Sequence, residues 1–512
     1  MRKGPDGNKR IVILGGGTAG WITANAMIQR WGDCGADITL IESPDIGTVG
    51  VGEGSTPRLK VFLDTIGVQE SEWMPSCNAT YKNGISFVNW STKPGFERYF
   101  HPFVSQADRF TTTAFFFNTL ARRHGVDVHA HPDRFSLTAR LSENRQGPIP
   151  DENFPFDNDY GYHFDAHLLG EYLRDIAGAR GVKHLPARVT GVNQAPDGDI
   201  MSLSIEHGEP VEADFFVDCS GFRGALIQEA LQVPFRSFSE NLFNDSAVVL
   251  PTEQSVSIGS QTVSTALKYG WAWEIPLTHR TGNGYVFSSA FCSPDDAETE
   301  LREFLGLLES NVEARHLKMK VGRLESHWQR NCLAVGLSQG FIEPLEATAL
   351  NIVCNTVYRF MDTVDADGGF GGDGRNLFND RVNDEFESVR DYIVAHYVLN
   401  SRRDTAYWVQ NSQNRNVSAT LAKILETWTS GQNLSQEIES KRIRSSYTPR
   451  SWYCLLAGYG YYPELRAVAL EDEMRNKIDM SEVDEFIRRC ALNFRTQNEL
   501  LQFGASPGAK TA

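Results

Sequence analysis

The stretch from Arg10 to Glu42 constrains the fold more than any other part of the chain. Arg10-Ile11-Val12-Ile13-Leu14 is a β-branched, apolar run of the kind that forms a buried parallel strand. Gly15-Gly16-Gly17-Thr18-Ala19-Gly20 follows without a gap and fits G-x-G-x-x-G, with glycines at 15, 17 and 20. A helical pattern from Trp21 to Trp31 comes next. Asp37-Ile38-Thr39-Leu40-Ile41 then reads as a second strand and ends in Glu42, 22 residues after Gly20, where a ribose-binding acid is expected. A lone glycine fingerprint is a weak signal. Strand, glycines, helix, strand and acid in register form a specific one, because each part has its own task in seating a pyrophosphate on a helix start. The pattern leaves FAD and NAD both open.

Three later features favour FAD. Gly50-Val51-Gly52-Glu53-Gly54-Ser55-Thr56-Pro57 is a second glycine-rich loop soon after the acid, and a flavin needs more backbone cradling than a nicotinamide dinucleotide. Ala213-Asp214-Phe215-Phe216-Val217-Asp218-Cys219-Ser220-Gly221 is an apolar strand ending in Asp-x-x-Gly. Cys332 to Gly340 is another apolar strand. Their order, with returns to the first domain after long insertions, resembles the glutathione-reductase-type flavoproteins. The expected fold is therefore α/β: an FAD-binding Rossmann-like core over 1–375 with an inserted β-rich substrate module, and a mainly helical region over 376–512 that completes the substrate pocket. Residues beyond about Gly504 read as a disordered tail. No second G-x-G-x-x-G follows a strand, so no separate NAD(P)H domain is expected.

The last strand leads into Gly340-Phe341-Ile342-Glu343-Pro344-Leu345-Glu346-Ala347-Thr348-Ala349-Leu350, two carboxylates and a proline running into a helix start. The plain explanation is a helix N-terminus decorated with acids, which the macrodipole favours. The alternative is a site, since N–H groups there face an anion or a flavin edge well. Among the insertions, Trp271-Ala272-Trp273-Glu274-Ile275-Pro276 lies in strand-like sequence, Asp367 to Gly374 reads as a loop, and Arg390 to Gln410 reads as a long amphipathic piece in a region rich in helix formers.

Net charge of -16 argues against nucleic acid as the main partner. The eight cysteines are scattered, with no C-x-x-C pair and no zinc spacing, which fits free thiols in a reducing compartment and no metal site. No apolar run reaches the roughly 18 residues of a membrane span. A cytoplasmic protein is expected.

Taken together, these motifs resemble the flavin-dependent tryptophan halogenases. The carrying residues are Gly15 to Trp21, Gly52-Glu53-Gly54-Ser55-Thr56-Pro57, Lys82 after Tyr81, Trp271-x-Trp273-x-Ile275-Pro276, Glu343-Pro344-Leu345-Glu346-Ala347-Thr348 and Ser451-Trp452-Tyr453. The resemblance covers roughly residues 10 to 500 and implies an FADH2- and O2-dependent halogenase. Hypohalous acid forms at the flavin from chloride or bromide, travels a tunnel to a lysine, and halogenates an aromatic substrate, with a separate flavin reductase as transient partner. A homodimer is compatible with it.

The resemblance assigns roles residue by residue. Lys82 and Glu346 are catalytic. Lys82 holds the oxidant, a task needing a primary amine and not a permanently charged guanidinium. Glu346 stabilises the cationic ring intermediate, and Glu343 is structural. FAD binding falls to Gly15, Gly17, Thr18, Ala19, Gly20, Glu42, Val51, Gly52, Val189, Asp218, Gly221, Leu337 and Leu350. Thr348 and Ala349 form the halide site, where many members carry Gly at the second position. Trp271 and Trp273 wall off the flavin, and His101, Phe103 and Trp452 hold the substrate ring. Each has a plain alternative: a surface lysine, a helix-capping glutamate, core aromatics. The Tyr-Tyr-rich lid that grips free tryptophan has no match in Gln436 to Tyr447, which favours a simpler indole or another aromatic. Two other functions compete, an FAD-dependent aromatic hydroxylase and a flavin-bearing protein without catalysis.

Overall fold

A parallel strand does run directly into Gly15. The computed structural model describes residues 9–45, 47, 52–465 and 480–504; Val51 and the tail after Gly504 lie outside them. Contacts group the chain into two compact units, each built from segments distant in sequence. The expected division near residue 375 follows the linear chain, whereas these units follow the folding.

The first unit comprises Met1–Ala79, Phe164–Ser239 and Met319–Glu387. Its centre is a six-stranded sheet in the order Trp328–Gln329, Cys332–Ala334, Phe215–Asp218, Lys9–Leu14, Ala36–Glu42, Lys183–Pro186. All neighbours are parallel except the Trp328–Gln329 edge strand. Central strands buried on both faces must be apolar throughout, and Ile11, Val12, Ile13, Phe215, Phe216 and Val217 are. Helices Thr18–Trp31 and Ala166–Ala179 pack together, and Ala349–Asp367 also packs on the former.

The second unit comprises Thr80–His163, Glu240–Lys318 and Ser388–Ala512. It is built on a seven-stranded sheet in the order Arg315–Lys318, Ser246–Glu253, Arg280–Phe287, Gly270–Pro276, Thr262–Ala266, Gly84–Val88, Arg98–Pro102. Every pairing is antiparallel except Thr262–Ala266 with Gly84–Val88. The helices Arg109–Arg123, Ala419–Thr429 and Pro449–Gly458 belong to this unit.

One expectation is corrected. The amphipathic piece over Arg390 to Gln410 is not one helix; Arg375–Leu399 and Ala406–Gln413 are separate. Asn400 breaks it. Its side-chain amide donates to Tyr397 O at 2.5 Å while its Oδ1 accepts from Arg402 N at 3.0 Å, an Asx turn that competes with the helical ladder. Thr405 then caps the next helix through Trp408 N.

Candidate active site

In the first unit the glycine loop closes with little tolerance. A Cβ on Gly15, whose φ is +118°, would lie 2.2 Å from Cys219 O, and one on Gly20 would lie 1.9 Å from Gly15 O. Gly17 differs: nothing stands within 4 Å of where its Cβ would be. Gly17 is also the N-cap of helix Thr18–Trp31, and no side chain caps that end. Open space in front of uncapped N–H groups suits a pyrophosphate. Glu42 reaches back over this loop, so that a Cβ on Gly16 would meet its carboxylate at 2.0 Å. The same carboxylate pairs with His184 Nε2 at 3.1 Å.

The Asp-x-x-Gly turn sits beside it, since Cys219 N donates to Leu14 O at 2.8 Å. Asp218 is fully buried, and its carboxylate is committed within the chain. Oδ1 accepts from Ser220 N and Oγ, and Oδ2 accepts from Leu226 N and Ile227 N at 2.8 Å. Burial raises its pKa against these four bonds. Asp218 thus shapes the turn in which Gly221 takes φ +76° with open space above it. Gly336 meets Ala19, so the loop carrying Leu337 lies against the fingerprint helix. Val189 begins strand Val189–Gln194 and packs on the apolar cluster of this unit. Gly52 begins the short strand Gly52–Gly54, where burial and then Asp165 push Glu53 up to about 7.

The focal loop belongs to the same unit. Pro344–Glu346 forms one 3-10 turn, Ala347 takes the left-handed conformation at φ +54°, and helix Ala349–Asp367 follows. A non-glycine residue there stores strain. Thr348 is the N-cap and no side chain caps the helix, so its first N–H groups point away from any built-in anion. Glu343 and Glu346 are both buried, as is Leu350 in the first helical turn. These features fit FAD and a halide: open glycine cradles and two uncapped helix starts, with an acid at the ribose position.

In the second unit Lys82 ends strand Thr80–Lys82 and is wholly buried. Both neighbours pin it. Gln497 Nε2 donates to Tyr81 O at 2.8 Å, and Asn83 donates to Ser260 twice, from its backbone N–H to the carbonyl at 2.7 Å and from its side-chain amide to Oγ at 3.0 Å. Asn83 O accepts from Phe103 N at 3.0 Å, which brings the Phe103 ring 5.7 Å from the Lys82 amine. His101 lies on strand Arg98–Pro102, which pairs with Gly84–Val88, its ring 5.6 Å from Tyr392. Tyr392 in turn meets the buried Trp452 at 4.8 Å and stacks on Tyr447 at 3.7 Å and 6°. Trp452 donates its indole N–H to Ser445 Oγ at 2.9 Å.

Trp271 and Trp273 share one face of strand Gly270–Pro276, ring centroids 6.1 Å apart. The Trp273 ring covers Gly284 on the next strand, where a Cβ would strike it at 2.1 Å. Lys82, His101, Phe103, Trp452, Trp271 and Trp273 therefore belong to one folding unit, and Glu346, Thr348, Ala349 and the described residues expected to bind FAD to the other.

The family profile described as tryptophan halogenase matches residues 10–473. The chain belongs to the tryptophan halogenase family. Tryptophan 6-halogenase SttH of Streptomyces toxytricini is 36% identical over 477 residues, spanning 88% of this chain and 89% of that protein. The solved SttH structure superposes with a TM-score of 0.84 at 33% identity, over 97% of this chain and 99% of that one. A flavin-dependent halogenase from Xanthomonas campestris also gives 0.84, at 29% identity over 98% and 99%. This halogenase family member is thus a flavin-dependent enzyme with the α/β fold of those structures, and the aromatic hydroxylase reading is set aside.

Some residues around Lys82 escaped the sequence. Gln497, Asn83, Tyr392, Tyr447 and His163 carry no motif, and their partners are set by chain pairings across long separations. His163 alone left a trace, as a polar residue inside the apolar run Gly161-Tyr162-His163-Phe164.

Proposed function

We propose that this chain uses reduced FAD, O2 and chloride or bromide to halogenate an aromatic substrate, an indole without the amino-acid part of tryptophan. The observation that carries the proposal is Lys82: a primary amine with no exposure, fixed on both flanks and set against an aromatic ring. A surface lysine would have none of this.

FAD would be held by Gly15, Gly17, Thr18, Ala19, Gly20, Glu42, Gly52, Val189, Gly221, Leu337 and Leu350, with Asp218 acting through the turn it shapes. Bound there, reduced FAD would give O2 two electrons and halide would give it two more, so that one oxygen leaves as water and the other ends in hypohalous acid. Thr348 and Ala349 present N–H groups to the halide. Ala349 in place of glycine keeps its N–H and adds a methyl. Trp271 and Trp273 keep organic substrate from the flavin by bulk. Lys82 holds the hypohalous acid by hydrogen bonding and aims its halogen at the ring, which His101, Phe103 and Trp452 orient by their faces. The carbon–halogen bond forms as the oxygen–halogen bond breaks. Glu346 stabilises the ring cation, the ring proton is lost, and water leaves. The helical C-terminal region, which supplies Trp452, completes the substrate pocket.

The chain's single dinucleotide fingerprint supports a separate flavin reductase as source of FADH2. The protein works in the cytoplasm, and a homodimer is compatible with this role. The test supplies chemically reduced FAD, each halide in turn and a panel of indoles and phenols, with products read by mass spectrometry. A halogenated indole supports the proposal; oxygenated products without halogen overturn it.

A further inference from the structure

A histidine that the proposed reaction does not use bridges the strand of Lys82 and strand Thr262–Ala266, which neighbours the strand of Trp271 and Trp273. His163 is fully buried and lies directly opposite Thr80 in an antiparallel ladder that also sets Lys82 against Gly161. Residues two apart on a strand share a face, so Thr80, Lys82 and His163 look the same way, with His163 a diagonal neighbour of Lys82. Gly161 presents no side chain opposite the amine.

The hydrogen bonds fix the ring's proton. The Thr80 hydroxyl donates to Pro276 O at 2.7 Å, at the end of strand Gly270–Pro276. A hydroxyl has one proton, so toward His163 Nδ1, 3.2 Å away, Thr80 Oγ1 accepts and Nδ1 carries the hydrogen. Nε2 lies 3.0 Å from Thr262 Oγ1 and, in a neutral ring, accepts from it. Burial first, then the Lys82 charge, pushes the imidazole well below its ordinary range, which keeps it neutral. Thr262 begins the strand beside Gly270–Pro276, so the relay Thr262–His163–Thr80–Pro276 ties the lysine strand to two strands of the seven-stranded sheet.

We propose that His163 is a positioning residue for Lys82: a neutral imidazole, protonated on Nδ1, that locks the lysine strand to strand Thr262–Ala266, the neighbour of the strand of Trp271 and Trp273, without adding a second cation beside the amine. The proposal rests on Lys82 as the residue that holds the oxidant. Its geometric half, the ring's tautomer, stands apart from activity.

Two experiments test it. Ring 15N spectra of the protein labelled at its 12 histidines, or neutron diffraction from the unmodified protein, read the proton directly. The expected result at neutral pH is a proton on Nδ1 and none on Nε2. A cationic ring, or a proton on Nε2, overturns the proposal. Kinetically, His163→Phe keeps the bulk and removes both hydrogen bonds; kcat should fall by at least about tenfold, while KM for halide and the affinity for FAD stay within about twofold. His163→Asn, which retains a donor for Thr80, should recover kcat to within about threefold of the parent. Wild-type kcat in the Phe variant, or no recovery by Asn, overturns the proposal. Lys82→Met forming product at the parent rate would instead overturn the lysine assignment, and would leave the proton on Nδ1 as it was.

Discussion

Glu53 makes the folded state sensitive to pH through one carboxyl. Its neighbour Asp165 caps helix Ala166–Ala179, accepting from His167 N and Leu168 N. Burial, and then the Asp165 charge, raise the Glu53 carboxyl from 4.5 to about 7. The folded chain then binds the Glu53 proton more tightly than the unfolded chain. The stabilisation is complete below pH 4.5 and is lost as pH rises through about 7, at most about 3 kcal/mol. Glu53→Gln mimics the protonated form. Urea melts should show parent and variant equally stable near about pH 5 and the variant more stable near about pH 8. At Glu346 the expectation is catalytic: Glu346→Gln should slow halogenation by about 10²–10³ without abolishing it, the loss typical of one charge-stabilising group. Single-turnover product formation reads this. Lys82 and Glu346 stand out in the sequence only because flanking motifs give them context, and their burial is what the structure adds. The bonds that hold Lys82 were not legible in the sequence, since Gln497 lies 416 residues from Tyr81.

At the scale of elements, the fingerprint turn was fully legible, because its physics is local: a strand, a turn too tight for side chains, a helix start. The structure adds a division of labour among the glycines. Gly20→Ala would drive a methyl into Gly15 O and should lose both FAD binding and thermal stability. Gly17→Ala meets nothing within 4 Å, so the variant should melt like the parent while binding FAD more weakly, as the methyl intrudes on the cradle. Flavin fluorescence titration and thermal melts separate the two. Trp452 stood out in the sequence as part of a motif, whereas its helix Pro449–Gly458 and the anchor of that helix did not. Arg450 donates to Asp108 Oδ2 at 2.8 Å, to Phe135 O at 3.1 Å and to Thr112, and Asp108 also accepts from Leu137 N at 2.8 Å. Removing one partner leaves a buried charge, so Asp108→Ala should cost about 3–5 kcal/mol in chemical denaturation. The broken amphipathic run at Asn400 shows the reverse limit: helical periodicity continued on both sides of a turn that one side chain dictates.

Over the whole molecule, the sequence carried the order of the parts and the structure supplied their grouping. The flavin-binding segments and the loop of Glu346 assemble one unit, and the segments with Lys82 and the aromatic set assemble the other. No composition signal marks those boundaries, because both units have ordinary apolar cores. A chain with one dinucleotide fingerprint should not turn over NADH by itself; the purified protein with FAD, O2 and NADH should oxidise it no faster than free flavin does, and should gain product only when a flavin reductase is added. The central claim is that the oxidant made at the flavin acts through Lys82. The most direct measurement is product yield from Lys82→Ala with reduced FAD, O2 and halide, alongside its FAD affinity and O2 consumption. The account predicts no halogenated product with flavin binding and O2 consumption intact; halogenated product at near the parent's yield would contradict it.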